Sequence, residues 1–159
     1  MAETDYIKMM RESLEKKVEI LEKIHLMNRE QNIILQDPGS SPDAFDENVL
    51  QKENLINQML ELDQGFEQLY NRVKPTIEGS KANYSEEIRK MKMLITEITD
   101  LSSSIQAQEA RNHELAVTRF SSVRAKAKEV RKGQQAVNTY YKNMMDQGFP
   151  DSQFMDKKN

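Results

Sequence analysis

The sequence has no cysteine and no tryptophan among its 159 residues, and only 5 glycines and 4 prolines. Without cysteine the chain can form neither disulfides nor thiolate metal sites, and this fits a reducing compartment. No window approaches the roughly 18 consecutive apolar residues of a membrane-spanning helix. The first residues, MAETDYIKMMRESLEKK, lack the apolar run of a signal peptide. These absences predict a cytoplasmic protein without an integral membrane segment.

Residue patterns that carry catalysis or bind cofactors are also scarce. His25 and His113 are the only histidines, they fall in different predicted helices, and neither has a nucleophile motif beside it. The glycines are isolated, so the sequence has no glycine-rich phosphate loop. Acidic pairs such as Glu86-Glu87 fall in the first turns of predicted helices, where they complement the helix dipole. The sequence therefore predicts no enzyme and no metal or cofactor site.

What the chain has in quantity is charged and helix-forming residues. Charged residues make up 31% of the sequence and hydrophobic residues 37%. Glu, Lys, Gln, Leu, Met and Ile dominate the periodic segments, and all are compatible with helices. This balance is typical of long helices around a narrow core. A chain of this length is expected to form one domain.

Apolar residues recur at steps of three and four in three segments, which two loops separate. The first helix is predicted at about residues 4–36. The loop DPGSSPDAFD follows, and Ser41-Pro42 predicts an N-cap with proline at the first helical position. The second helix is predicted at about 42–74, ending near Pro75. The third is predicted at 83–145 and would be about 90 Å long if continuous.

The apolar stripe of the third helix turns polar across QAQEARNHE, residues 106–114, and its register stutters there. The first two helices can cover only about half of so long a helix. We therefore expect an all-α fold: an antiparallel three-helix bundle or coiled coil whose very long C-terminal helix projects or folds back. The bend is expected in the polar stretch. Residues 1–145 would form the domain, and 146–159 a C-terminal tail.

The late part of the third helix carries an apolar stripe that this bundle does not cover. We call it the late seam, and it consists of Ala116, Phe120, Val123, Ala127, Val130, Val137, Tyr141 and Met144. Such spacing is what a partner groove recognises on an amphipathic helix. The residues alone leave three outcomes open, since the late seam can fold back, pair with a second copy, or bind another protein's helix. Tyr140 lies one residue off the late seam, so its ring is expected to be exposed.

Basic residues concentrate beside the late seam, with eight Lys and Arg against two Glu between Arg111 and Lys142. A basic helix can follow nucleic-acid phosphates. The net charge of the chain is −3, however, and no recognised nucleic-acid-binding motif accompanies the basic residues. We interpret them as the solvated face opposite the late seam and expect no nucleic-acid partner.

Three stretches in this order, SLEKKVEILEKI, QKENLINQMLELDQGFEQLY and the ending YYKNMMDQGFPDSQFMDKK, resemble the FlgN-type flagellar export chaperones of Gram-positive bacteria. The resemblance implies a cytoplasmic chaperone of flagellar type III export. Such a chaperone binds the C-terminal helical segments of hook-filament junction (hook-associated) proteins, prevents their premature assembly and delivers them to the export gate.

The resemblance makes the late seam the candidate client-binding surface, and Tyr140, Phe149 and Phe154 candidate contacts with the export gate. Two alternatives accompany it. The client is the filament cap protein, as for the related FliT-type chaperones, or the chain is a homodimeric coiled-coil structural or adaptor protein. The second alternative predicts a stable dimer that needs no client.

Overall fold

The computed structural model describes residues 2–121 and 124–146, apart from the side chains of residues 81, 124–130 and 146. It contains four α-helices: α1 (Glu3–Gln36), α2 (Pro42–Gly79), α3 (Ser85–Arg119) and α4 (Arg124–Asp146). A short 3-10 turn, Lys81–Tyr84, connects α2 to α3. No β-strand occurs within the described ranges, so the fold is all-helical there, as the sequence predicts.

The reversal between α1 and α2 follows from its turn-forming residues. Asp37 accepts a hydrogen bond at Oδ1 from the Gly39 amide, 2.9 Å away. The Ser40 hydroxyl donates to the carbonyl oxygen of Ile34. Ser41 accepts a hydrogen bond from the Ala44 amide, 3.2 Å away, and Pro42 begins the helix. The predicted N-cap at Ser41 is confirmed, because the serine oxygen satisfies an amide that has no partner within the helix.

The second helix extends beyond the predicted end at residue 74 and continues through Pro75 to Gly79. Proline removes one backbone hydrogen bond from a helix interior. Tyr70, Val73 and Ile77 all lie in the core, on either side of the proline. Burial of this apolar face favours a continued helix and offsets the local cost, since each such side chain contributes about 1.5–3 kcal/mol.

Specific contacts define the directions of the helices. Arg11 on α1 donates to Glu87 near the start of α3, and Arg119 at the end of α3 donates to carbonyl groups at the end of α1. These two helices therefore run in the same direction, and α2 runs opposite to both. The helix α1 packs against α2 and α3, whereas α4 packs against α3 and, over a shorter stretch, α2.

The predicted long helix at 83–145 is divided into α3 and α4, and α4 lies against α3 and α2 as a fourth helix. Gln134 contacts Gln31 on α1, and Tyr140 further along contacts Asp63 on α2, so α4 runs antiparallel to α3. The expected bend at residues 106–114 is wrong, because these residues lie inside α3. Their polar side chains are matched by partners on α1 and α2, so a polar stretch is compatible with a continuous helix.

Two apolar clusters make up the core. The larger cluster fills most of the bundle and includes residues of all four helices. The smaller cluster lies at the end near the α1–α2 loop and consists of Leu35, Phe45, Ala116 and Phe120. The rings of Phe45 and Phe120 are 5.5 Å apart between centroids and tilted by 55°. The separation lies in the range of favourable aromatic pairs, and the tilt avoids the face-to-face arrangement.

Candidate functional site

A layer of buried polar side chains separates the two apolar clusters, and it involves all four helices. On α1, α2 and α3 its members lie between the residues of the two clusters, and on α4 its member precedes the residues of the larger one. We call this set the polar layer, and it consists of Asn28, Gln31, Asn48, Lys52, Gln108, Glu109, Asn112 and Gln134. Buried polar groups of this kind are costly unless they are paired, so their pairing decides how the helices can fit together.

An ion pair between Lys52 of α2 and Glu109 of α3 lies in the polar layer. Lys52 Nζ is 2.7 Å from Glu109 Oε1, and the two side chains are 1% and 0% exposed. The Lys52 ammonium and the Glu109 carboxylate are not oriented as in a well-aligned hydrogen bond. Burial lowers the pKa of Lys52, and the charge of Glu109 opposes this change. The loss of hydration of the two charges offsets much of their attraction, so a pair buried to this degree adds little net stability.

Amide side chains connect α4 to the other helices through a short chain of hydrogen bonds. Gln134 of α4 donates to Gln31 Oε1 at 3.3 Å, and Gln31 donates to Asn48 Oδ1 at 3.0 Å. Asn48 in turn donates to the carbonyl oxygen of Met27 at 2.9 Å. One chain of contacts thus runs from α4 to α1, to α2, and back to the α1 backbone.

A second group of amides joins α1 to α3. Asn28 donates to Gln108 Oε1 at 3.3 Å, and Asn112 donates to the carbonyl oxygen of Asn28 at 2.9 Å. Asn32 donates to Asn112 Oδ1 at 3.1 Å. A shift of α3 along α1 would separate these partners, so the amides favour a single register.

The face of α4 that meets the polar layer is imperfectly matched to it. Tyr141 is fully buried, and its pKa is raised well above the ordinary value, mainly by burial and further by the charge of Glu109. Neither the Tyr141 hydroxyl nor Gln134 Oε1 has a hydrogen-bond partner in the described part of the chain. Such groups weaken an interface, because each loses its hydration without a compensating bond.

The structure places five late-seam residues inside the protein. Val137, Tyr141 and Met144 belong to the larger apolar cluster, and Ala116 and Phe120 to the smaller one. The three α4 residues fill the groove between α2 and α3, which we call the α4 groove. The other late-seam residues lie outside what the structure describes, Val123 entirely and Ala127 and Val130 in their side chains.

The expectation of an exposed Tyr140 ring is wrong. Tyr140 is partly buried and packs against the core. Its hydroxyl donates to Asp63 Oδ2 at 3.1 Å, and Asp63 Oδ1 accepts from Lys17 at 2.7 Å. The expectation rested on the position of Tyr140 one residue off the late seam. It did not consider α2, which lies beside this part of α4. The other two candidate gate contacts, Phe149 and Phe154, lie outside the described residues.

The sequence interpretation missed Lys52, as it missed Asn28, Gln31 and Asn48 of the polar layer, although the spacing of Lys52 carried a signal. Lys52 lies seven residues after Phe45 and four before Ile56, at a position where the apolar stripe of α2 calls for a buried side chain. A charged residue in such a position and a second one, Glu109, in an apolar position of α3 predict a buried pair. Sequence spacing alone does not show that the two face each other.

Among residues 2–121 and 124–146, no group of three or more His, Asp or Glu side chains has the geometry to hold a metal ion. None of the helices in this part of the chain is long and apolar enough to cross a membrane. In comparison with known proteins, no protein-family model, curated protein or solved structure matches the chain.

Proposed function

We propose that this chain is a cytoplasmic chaperone of flagellar type III export that binds C-terminal helical segments of hook-filament junction proteins. It keeps these proteins from assembling prematurely and delivers them to the export gate. The observation that supports the proposal is the α4 groove, which holds an amphipathic helix by apolar anchors on one face. Recognition of a helix in a groove uses such anchors at i, i+4 and i+7, and Val137, Tyr141 and Met144 have this spacing.

Client binding requires α4 to separate from α2 and α3, because the late-seam residues that the structure describes face the inside of the protein. Separation exposes two complementary apolar surfaces, the late seam and the α4 groove. The partnerless polar atoms of Tyr141 and Gln134 lower the cost of this step, since water satisfies both once α4 is released. Segments with few contacts open most readily by local unfolding. The contact of α4 with α2 is shorter than its contact with α3.

The gate contact is coupled to the same step. Tyr140 is tied to Asp63 while α4 is docked, and its hydroxyl becomes available only when α4 leaves α2. A client that displaces α4 would thus also present Tyr140 to the export gate. The client-bound protein is delivered in preference to the empty one if this coupling operates.

The filament cap protein is the alternative client, and the homodimeric coiled-coil adaptor is the alternative class. The continuous spacing of the late seam across the α3–α4 junction favours the second, because such a stripe can pair with its own copy.

The test measures binding of synthetic C-terminal peptides of junction proteins and of the cap protein to the full chain by titration calorimetry. Val137→Asp is the diagnostic variant, and Asn138→Asp, at the exposed neighbouring position, is the matched control. Junction peptides are expected to bind the wild type and Asn138→Asp equally. Val137→Asp frees α4, so it strengthens binding if the client occupies the α4 groove and abolishes it if the client binds the late seam.

Either change in Val137→Asp supports a client site at the α4 interface. Selective binding of the cap peptide would replace the junction proteins as clients. Failure of both kinds of peptide to bind any variant would overturn the chaperone proposal.

A further inference from the structure

The two chain reversals differ in how their sequences support a turn. The α1–α2 reversal has Asp37, Gly39 and a capping serine, each making the hydrogen bond expected of it. Between the end of α3 at Arg119 and the start of α4 at Arg124, the sequence is FSSV. It contains no Gly, Pro, Asn or Asp, and its two serines favour turns more weakly than those residues do. The turn signal is thus strong at the first reversal and weak at the second.

The junction sequence is instead compatible with a continuous helix. Ala116, Phe120, Val123 and Ala127 follow one another at steps of four, three and four, as on one face of a helix. The Phe120 amide still donates to the carbonyl oxygen of Ala116 at 3.0 Å, which is a helical hydrogen bond. Phe120 has φ −102° and ψ 14°, so it is close to the helical region of backbone angles. Phe120 itself would therefore need only a small change of its dihedral angles to continue α3.

The end of α3 is held in place by contacts that do not involve α4. Arg119 donates to the carbonyl oxygens of Asp37 and Ser40 in the α1–α2 loop, at 2.6 and 2.9 Å. Phe120 packs on Phe45. A change in the direction of α4 would leave these contacts, and the packing of α1 with α2 and α3, in place.

The antiparallel docking of α4 has a geometric consequence for two opened copies. If α3 and α4 form one straight helix, a two-fold axis near the junction places α4 of one copy along α3 of the other. The direction of packing is again antiparallel, as it is within one chain. Each α4 then meets an α4 groove identical to its own, and contacts such as Gln134–Gln31 and Tyr140–Asp63 form between chains.

We propose that this protein forms a domain-swapped homodimer, in which α3 and α4 are continuous and each α4 occupies the α4 groove of the other copy. The swapped dimer keeps the α4 contacts and adds helical hydrogen bonds at two junctions. Association costs the two copies translational and rotational freedom, so the dimer fraction rises with protein concentration. The inference concerns a second copy as the occupant of the groove and does not depend on the chaperone proposal.

The absence of cysteine makes a direct test available. A Cβ atom at Gly133 of α4 would lie 3.7 Å from Val49 Cγ1 of α2, so side chains at these two positions face each other across the α2–α4 contact. The double variant Val49→Cys/Gly133→Cys is purified reduced, equilibrated at low and high concentration, oxidised and run on a non-reducing gel. Closure within one chain gives a covalent monomer, whereas swapping gives a covalent dimer. The single variant Gly133→Cys controls for random cross-linking, and circular dichroism of the reduced double variant checks its fold.

Covalent dimer is expected to increase with concentration in the double variant and to stay at background in the single variant. Two junction variants, made without cysteines, are then compared with wild type by light scattering after gel filtration. Ser121→Ala/Ser122→Ala should raise the dimer association constant on the order of tenfold, since alanine favours continuous helix at four positions per dimer. Insertion of Gly-Asn-Gly after Ser121 should shift the protein to monomer.

Two results would overturn the inference. One is that the wild type and the alanine variant both stay monomeric at every concentration. The other is a dimer in which the Val49→Cys/Gly133→Cys disulfide closes only within each chain, because such a dimer associates without exchanging α4.

Discussion

Lys52 and Glu109 form an ion pair of 2.7 Å at the centre of the bundle, with both side chains almost wholly buried. The pair connects α2 and α3, which lie on opposite sides of the α4 groove. Both of these helices pack against α1 and α4 rather than mainly against each other. Its position beneath Tyr141 means that α4 covers two charges as well as an apolar surface. A helix that fills the groove therefore meets buried polar groups as well as apolar ones.

Removal of one partner of this pair should be far more damaging than removal of both. Glu109→Leu leaves the Lys52 ammonium buried without its counter-ion, and we expect a loss of about 3–5 kcal/mol in the free energy of unfolding. The double variant Lys52→Met/Glu109→Leu should regain most of that loss, because apolar side chains of similar volume suit the site. Urea denaturation of wild type, Glu109→Leu, Lys52→Met and the double variant measures these free energies.

The exposed pair Glu86–Arg89 provides the control, since its side chains are 64% and 59% exposed and Glu86→Ala should leave stability nearly unchanged. A double variant no more stable than Glu109→Leu alone would contradict the expected coupling.

The adjacent tyrosines should respond oppositely to loss of their hydroxyl groups. Tyr141→Phe removes a buried hydroxyl that has no hydrogen-bond partner, so we expect unchanged or slightly increased stability. Tyr140→Phe removes the hydrogen bond to Asp63 and should cost about 1 kcal/mol. Thermal unfolding of the two variants beside wild type makes the comparison, and a Tyr141→Phe protein less stable than Tyr140→Phe would refute it.

Alkaline pH should weaken the contribution of Tyr141. Burial raises its pKa in the folded protein above the ordinary value of 10.0, so the folded state keeps the phenol proton where the unfolded state loses it. The contribution is complete below pH 10 and declines as pH rises from there towards the raised pKa. The stability of wild type relative to Tyr141→Phe should therefore fall in this range. Chemical denaturation from pH 8 to 11 measures the difference, in which contributions from other groups cancel, and a flat difference would contradict the assignment.

Arg119 should be a major determinant of how α3 ends. Its guanidinium donates to the carbonyl oxygens of Ile34, Leu35, Asp37 and Ser40, at distances from 2.6 to 3.3 Å. We expect Arg119→Ala to cost about 2–3 kcal/mol, because hydrogen bonds to a charged group exceed neutral ones in strength. Arg119→Lys should recover only part of this, since an ammonium group lacks the planar fork.

Hydrogen exchange of the α1–α2 loop amides, with the exposed Arg111→Ala as control, reports the local effect of Arg119→Ala. Equal protection of the loop in Arg119→Ala and Arg111→Ala would show that the contacts do not stabilise it.

The helices and their core-facing sides were predictable because both depend on local spacing. The first helix was expected at about 4–36 and is observed at Glu3–Gln36, and the turn chemistry of Ser41-Pro42 located the start of α2. Glu109 and Asn112 belong to the stretch 106–114, in which the predicted apolar stripe turns polar, and both are buried. Their significance was misread as a bend, because sequence does not show which partner meets a polar group.

By itself the sequence determined that this protein is helical, where its first turn lies and which residues face inward, since periodicity and turn propensity act over a few residues. Only the tertiary structure decided that α4 turns back at Phe120, that Lys52 meets Glu109 and that Tyr140 bonds Asp63. Each of these joins residues more than 50 positions apart or depends on the space left between two other helices. A repeating apolar stripe satisfies several such arrangements equally well, and the match of buried polar groups selects among them.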